Sequence, residues 1–252
     1  MFLDNLLPAS LGVLGAPKAF LERLRHPDMV SYGLLASLSV MKKRGVICGI
    51  DSIWDVGANT GQFAFMAHTV WSELPVYSFE PDLKVFAQLE KNFKKFELQG
   101  QCFAYALGEN AGNRDLYHCE DTVNTSLLEP DEISKGLVAK KTQVECKTLD
   151  GMLDMITTSQ SPLLKLDVQG YEAHVLRGAD KFLSHCRYVL AEVTFTSQYK
   201  GGVHADELMC MMRERGFICT QIVDALRDKS SVRKDILEVD MLFENKNMVK
   251  PL

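Results

Sequence analysis

No stretch of this chain reaches 18 uncharged apolar residues of uniform character, so no segment reads as a membrane-spanning helix. The run at 32–40 is too short and ends in Lys42-Lys43-Arg44. The N-terminal segment MFLDNLLPASLGVLGAP is apolar, but it carries Asp4 where an export signal would carry Lys or Arg, and Pro8 interrupts it. An export signal is therefore not expected, although residues 2–16 are compatible with amphipathic, peripheral contact with a membrane surface. Paired cysteines are also missing. The seven cysteines (48, 102, 119, 146, 186, 210, 219) are odd in number and none forms a C-x-x-C pair, the pattern of a reduced, cytoplasmic chain. Cys102, Cys146 and Cys186 sit among apolar or β-prone residues and read as small buried hydrophobes. An excess of positive charge is lacking as well: 28 Lys+Arg stand against 33 Asp+Glu, a formal net charge of −5. Nonspecific nucleic-acid binding needs a basic surface, so no nucleic-acid partner is expected. Lys42-Lys43-Arg44 and Lys94-Lys95 read as solvated faces. There is no internal repeat and no low-complexity tract.

The 252 residues are 46% hydrophobic and 24% charged, an ordinary globular composition. A chain of this length forms one large α/β domain or two small ones and buries roughly 70–75% of its unfolded surface. It needs no disulfide or metal staple. Residues 1–50 read as a helical N-terminal extension, with Leu34, Leu35 and Leu38 at helical spacing. From residue 53 the pattern becomes a beat of short apolar strand and amphipathic helix: 53–56 then 62–71, 76–79 then 83–96, and 101–106. The beat resumes with 163–168, 171–183, 188–193, 205–215 and 217–223. Such alternation implies βαβ units and a mostly parallel sheet with helices on both faces. The last apolar segment, 236–243, has no helix after it and is open to an antiparallel return. Between 109 and 147 the beat breaks, and 113–119 and 142–148 alternate like exposed strands, so a hairpin-like insertion is expected there. A main domain over 51–252 follows.

The most informative segment is Ile53-Trp54-Asp55-Val56-Gly57-Ala58-Asn59-Thr60-Gly61, followed by Phe79-Glu80-Pro81. A strand ends at Val56, the chain turns through two glycines, and a helix begins near Gly61 with unpaired N–H groups at its start. Glu80, at the end of the second strand, is placed to accept hydrogen bonds from ribose hydroxyls. A dinucleotide fingerprint would need glycine at the third and sixth positions counted from Gly57, but Asn59 and Gln62 stand there. Asp55 adds a carboxylate near the turn, which is awkward for a pyrophosphate and suits a cationic ligand such as S-adenosylmethionine.

The chain resembles the FkbM-type S-adenosylmethionine-dependent methyltransferases. The resemblance runs through Asp55-Val56-Gly57-Ala58-Asn59-Thr60-Gly61-Gln62-Phe63, Phe79-Glu80-Pro81, Ala106-Leu107-Gly108 and Thr148-Leu149-Asp150. It continues in Leu164-Lys165-Leu166-Asp167-Val168-Gln169-Gly170-Tyr171-Glu172 and Val175-Leu176-Arg177-Gly178-Ala179. It covers roughly residues 45–225. It implies a class I methyltransferase (Rossmann-like) fold, a seven-stranded sheet with one antiparallel strand, and O-methylation of a hydroxyl-bearing small molecule, often a sugar or glycosylated metabolite. The expected cofactor is S-adenosylmethionine, with Asp55, Gly57, Ala58, Asn59 and Gly61 at the methionine end, Glu80 at the ribose, and Pro81, Ala106 and Leu107 framing the adenine. Two rival readings are a noncatalytic S-adenosylmethionine-binding scaffold and a nicotinamide-dependent oxidoreductase, the latter disfavoured by the missing glycines.

Methyl transfer requires an aligned acceptor and removal of its proton. Asp167 ends the fourth strand of the beat, on the carboxyl edge where open α/β sheets bind ligands, and is the candidate to act near the methyl group; its other reading is a helix N-cap. Glu192 stands in an apolar run where an unpaired carboxylate is costly and calls for a partner: a substrate hydroxyl, Lys165, or a divalent metal such as Mg²⁺ shared with Asp167. His204 follows Lys200-Gly201-Gly202 and reads as a base or as the start of the next helix. His174 reads as a packing or surface residue, and Asn124-Thr125-Ser126 as a substrate contact, a part of the cofactor cleft or a turn. Oligomeric state carries no signal.

Overall fold

The computed structural model describes residues 17–119, 125–131, 138–156, 160–195, 199–227 and 236–248. Residues 2–16 and Asn124, for which roles were considered above, lie outside this set. Helices α1 (Pro17–Arg25) and α2 (Tyr32–Lys43) precede strand β1 (Ser52–Val56), and the beat continues through α3 (Gln62–Val70), β2 (Val76–Phe79), α4 (Leu83–Lys95) and β3 (Gly100–Phe103). Then come β4 (Ala106–Leu107), β5 (Gly112–Cys119) and β6 (Val138–Lys147), α5 (Leu149–Met155), β7 (Pro162–Leu166), α6 (Glu172–Arg177) and α7 (Asp180–His185). The described chain closes with β8 (Tyr188–Thr194), α8 (Ala205–Glu214), β9 (Phe217–Arg227), β10 (Ile236–Asn245) and a short 3₁₀ turn at Lys246–Met248.

Seven strands form one sheet in the order β3-β2-β1-β7-β8-β10-β9. All run parallel except β10, which pairs antiparallel with both β8 and β9. The helix expected over 171–183 is two helices, α6 and α7, broken at Gly178, where an added Cβ would lie 2.1 Å from the carbonyl oxygen of Gly108. Strands β5 and β6 of the insertion run antiparallel, and β6 also pairs in parallel with β4, just before the insertion, to form a separate three-stranded sheet, β4-β6-β5. His118 of β5 bonds Asp82 Oδ2 at 2.8 Å and Thr142 Oγ1 at 2.6 Å. Since Asp82 also caps α4 by accepting from Lys84 N and Val85 N, the small sheet is tied to the carboxyl end of β2.

Side chains alternate across a strand, and two cores result. Trp54, Val56, Leu164, Leu166, Val189 and Ala191 pack with α5 to α8 on one face. Ile53, Leu163, Tyr188, Leu190 and Leu242 pack with α1 to α4 on the other. The same alternation puts Asp55, Lys165, Asp167, Glu192, Glu238 and Asp240 on this second face, toward the carboxyl ends of the parallel strands. Apolar residues thus fill the lower half of that face, and ionisable ones occupy the upper half. Helix α2 closes its outer side: Ser37 Oγ donates to the Val223 carbonyl at 3.2 Å, and Lys42 Nζ to the Val70 carbonyl at 2.7 Å. Of the cysteines, Cys146 and Cys186 are buried and Cys102 is half-buried. Among the described residues, no helix is long and apolar enough to cross a membrane.

Candidate active site

A cavity of about 530 Å³ opens along the carboxyl ends of β2, β1, β7 and β8, within the size range of small-molecule sites. On the β2 side it is lined by Glu80, Pro81, Tyr105, Ala106, Leu107 and Leu116, and after β1 by Gly57, Ala58 and Asn59. On the β7, β8 and β10 side it is lined by Lys165, Asp167, Gln169, Glu192, Glu238 and Asp240, and Leu34, Thr125 and Ser126 also line it. One end is therefore an apolar slot bearing Glu80, and the other is a carboxylate-rich chamber.

The turn after β1 is shaped by its neighbours. Gly57 has φ 82°, and an added Cβ would lie 1.8 Å from the carbonyl oxygen of Asp167. Its glycine is therefore demanded by the end of β7, a reason that sequence reading, which looked to a ligand, did not supply. Asn59 also has a positive φ, 48°, and its Oδ1 accepts from Thr60 N at 2.8 Å. Glu80 holds this loop from the β2 side: Oε2 accepts from Asn59 N at 3.0 Å and Oε1 from Asp82 N at 2.9 Å. Burial pushes the Glu80 carboxyl up to about 7 against these two backbone donors. Each carboxylate oxygen can accept a further hydrogen bond, and Glu80 lines the cavity.

Asp55 and Gly61 do not line the cavity. Asp55 is fully buried beneath it, 3.5 Å from Ser78 Oγ, and burial raises its carboxyl to about 6 although Lys165 opposes the rise. Its place is below the chamber floor rather than at the ligand, because its strand parity directs it between β1 and α3. Gly61 caps α3 with φ 94°. His204 is likewise not brought to the cavity; it sits at the N-cap of α8 without a side-chain capping bond. His174 stacks on Tyr171 at 4.3 Å between ring centroids. Asp167 caps no helix, since the N-cap of α6 is Tyr171.

In the chamber, Lys165 Nζ contacts Asp167 Oδ2 at 2.5 Å. Burial would lower the Lys165 ammonium, but the carboxylates of Asp167, Asp55 and Asp240 outweigh it and hold the group above its ordinary value. Asp167 is held low: burial acts upward, and Lys165 together with hydrogen bonds from Gln169 and Glu192 overcomes it. Glu192 moves the other way, pushed up to about 10 by burial and then by the Asp167 charge. Two carboxyl groups with opposed environments are the pattern of an ionised base beside a neutral donor. The partner Glu192 required is the Gln169 amide, at 3.0 Å. A metal between the two carboxylates is not supported: among the described residues, no cluster of three or more His, Cys, Asp or Glu is placed to hold one.

Sequence reading missed Gln169, Glu238 and Asp240 as cavity residues. The last two carried a faint signal, since they share parity with Leu242 in the final strand.

The sheet order with β10 alone antiparallel, and a ligand-sized cavity over the carboxyl ends of β1, β2 and β7, define a class I S-adenosylmethionine-dependent methyltransferase fold. Residues 55–219 match the Methyltransferase FkbM domain, and the chain belongs to that family of methyltransferases. It is 27% identical over 202 residues to 31-O-demethyl-FK506 methyltransferase FkbM of Streptomyces tacrolimicus, covering 70% of this chain and 76% of that one. It is 24% identical over 188 residues to hexuronic acid methyltransferase AglP of Haloferax volcanii, covering 72% and 69%. A solved structure of an uncharacterised protein from Listeria monocytogenes serotype 4b shares the fold, with TM-score 0.50 and 11% identity over 88% of this chain and 70% of that one. Membership in a methyltransferase family disposes of the nicotinamide reading.

Proposed function

We propose that the chain transfers a methyl group from S-adenosylmethionine to a hydroxyl of a sugar or glycosylated small molecule. The observation that carries this reading is the division of one cavity into a slot bearing Glu80 and a chamber of carboxylates with a single lysine. The slot fits a nucleoside: Glu80 offers lone pairs to ribose hydroxyls, and Pro81, Ala106 and Leu107 offer apolar contact to a base. Gly57, Ala58 and Asn59 lie between slot and chamber, next to the amino-acid end of such a ligand. When bound, S-adenosylmethionine supplies an electrophilic methyl on a cationic sulfonium, and the acidic chamber suits that charge.

The acceptor side follows from the same lining. Asp167, ionised and 30% exposed, accepts the proton of the attacking hydroxyl, a role that typically contributes ~10²–10⁴-fold. Glu192, protonated, donates to a neighbouring oxygen of the acceptor or to Asp167. Glu238 and Asp240 offer further acceptors to a ligand rich in hydroxyl donors. One relative is named for a hexuronic acid and the other for a 31-O-demethyl compound, which supports hydroxylic acceptors. In this chain the only lining cation among the described residues, Lys165, is already engaged by Asp167, which favours a neutral polyol over an acidic sugar.

A screen of neutral sugars, uronic acids and glycosylated metabolites, read by mass for a gain of one methyl group, tests the proposal. Methylation of at least one neutral sugar-bearing acceptor is expected, with and without EDTA. S-adenosylmethionine binding with no turnover on any hydroxylic acceptor would leave the scaffold reading in its place.

A further inference from the structure

Gln169 joins the insertion, the turn after β7 and both central carboxyl groups. Its backbone has φ 54° and Gly170 follows with φ 88°, a conformation uncommon for a side-chain-bearing residue. The turn is held from two sides. Ser126 Oγ, from the insertion, donates to the Gln169 carbonyl at 2.8 Å and accepts from Leu128 N at 3.1 Å. Buried Glu172 accepts from Val168 N at 3.0 Å and from Gly170 N at 3.3 Å through one oxygen, Oε1. So braced, the side-chain amide nitrogen lies 3.0 Å from Asp167 Oδ1 and 3.0 Å from Glu192 Oε2. A primary amide carries two N–H donors on that nitrogen, one for each carboxyl group. Lys165 takes the remaining Asp167 oxygen.

We infer that Gln169 is a positioning residue: its amide fixes the Asp167 and Glu192 carboxyl groups relative to one another and fills the place between them that a divalent cation would otherwise take. This rests on the reading of Asp167 and Glu192 as the acceptor-facing pair. Two carboxyl groups crowded into one chamber need a proton, a cation or a donor between them. A neutral amide supplies donors without cancelling the charge of Asp167, leaving it available as a base. Since Ser126 holds the Gln169 backbone, the insertion also governs the placement of this pair.

The inference is tested with the 252-residue chain and two substitutions. Gln169→Glu replaces the donor by a third carboxyl group, and three convergent carboxylates suit a hard cation. Gln169→Met keeps the volume and removes both donors. Mn²⁺ binding is followed by electron paramagnetic resonance, Asp167 titration by carboxyl carbon NMR, and S-adenosylmethionine affinity by calorimetry. Gln169→Glu is expected to bind Mn²⁺ roughly tenfold or more tighter than the unsubstituted chain, and the added Asp167→Asn to abolish the gain. Gln169→Met is expected to titrate Asp167 at higher pH with S-adenosylmethionine affinity within about twofold, a shift that a merely structural residue would not produce. Mn²⁺ affinity equal in the unsubstituted chain and Gln169→Glu would overturn the inference. So would an unmoved Asp167 titration in Gln169→Met, which decides the matter if Gln169→Glu does not fold. Absence of S-adenosylmethionine binding in the unsubstituted chain would instead refute the functional reading and leave the Mn²⁺ and titration results standing on their own.

Discussion

Asp240 on β10 stands directly opposite Glu192 on β8 in the antiparallel register of the two strands. The pairing brings acidic groups from the last strand into a chamber otherwise built by the parallel half of the sheet. Burial raises Asp240 to about 6, against the pull of Lys165. Lys165, 6% exposed, therefore serves Asp55, Asp167 and Asp240 together.

Removing that lysine leaves buried carboxylates uncompensated. Breaking a buried pair from one side costs about 3–5 kcal/mol. At about 2–4 °C per kcal/mol for a domain of this size, Lys165→Met is expected to lower the melting temperature by roughly 6–20 °C near pH 8. The loss should shrink near pH 5, where Asp55 and Asp240 take up protons. A calorimetric scan at both pH values checks this, and an unchanged melting temperature at pH 8 would show that the lysine compensates nothing.

Glu80→Ala removes charge-assisted hydrogen bonds worth about 1.5–3 kcal/mol and also releases Asn59 N and Asp82 N. S-adenosylmethionine affinity should fall about 10-fold to 100-fold by calorimetry, while Glu80→Gln, which keeps an acceptor, should lose less. Unaltered affinity in Glu80→Ala would place the ribose elsewhere.

The raised carboxyl groups give two opposite pH trends. Asp55 at about 6, Asp240 at about 6 and Glu80 at about 7, each lifted chiefly by burial, ionise as pH rises through about 6–7. A cationic ligand then meets more negative charge, so S-adenosylmethionine should bind at least about threefold tighter at pH 8 than at pH 5.5, a modest Coulomb effect at an effective dielectric constant near 20. The net-neutral thioether product should gain less. For the ligand-free chain the sign reverses: the folded state holds these protons where the unfolded state has released them. Their contribution to stability is full below the unfolded carboxylate range and is lost as pH rises through about 6–7. Calorimetry across this range, with and without ligand, reads both trends.

Asp167→Asn keeps the size of the side chain and removes the proposed base. Turnover on the acceptor found by screening should fall by about 10²–10⁴-fold. Stability should fall less than in Lys165→Met, because Asp55 and Asp240 still face the ammonium. A melting-temperature loss matching that of Lys165→Met, with turnover preserved, would recast Asp167 as a structural ion-pair partner.

Much of this architecture is written locally. The alternation of apolar runs and amphipathic helices from residue 53 onward determined the parallel strands and their helices, because each element must bury one face. The glycine-bearing turn after β1 and Glu80 after β2 were legible as neighbours at the carboxyl edge, since consecutive βαβ units place successive strand ends side by side. The hairpin character of 113–119 and 142–148 was visible in their period-two alternation, a local property of strands.

What crosses between elements distant in sequence was decided by the tertiary structure alone. Asp55 reads as a ligand contact beside a glycine turn, but strand parity and the packing of α3 put it under the chamber floor. Gly57 reads as clearance for a ligand, whereas the atom it makes room for is the Asp167 carbonyl of a strand more than a hundred residues away. Glu238 and Asp240 enter the chamber through the register of β10 against β8, and Gln169 reaches Asp167 and Glu192 because Ser126 and Glu172 hold its turn. The physical reason is the same in each case. Periodicity along a chain tells which face a side chain takes, while the partner on that face is set by the register and closure of other strands, which no local pattern encodes.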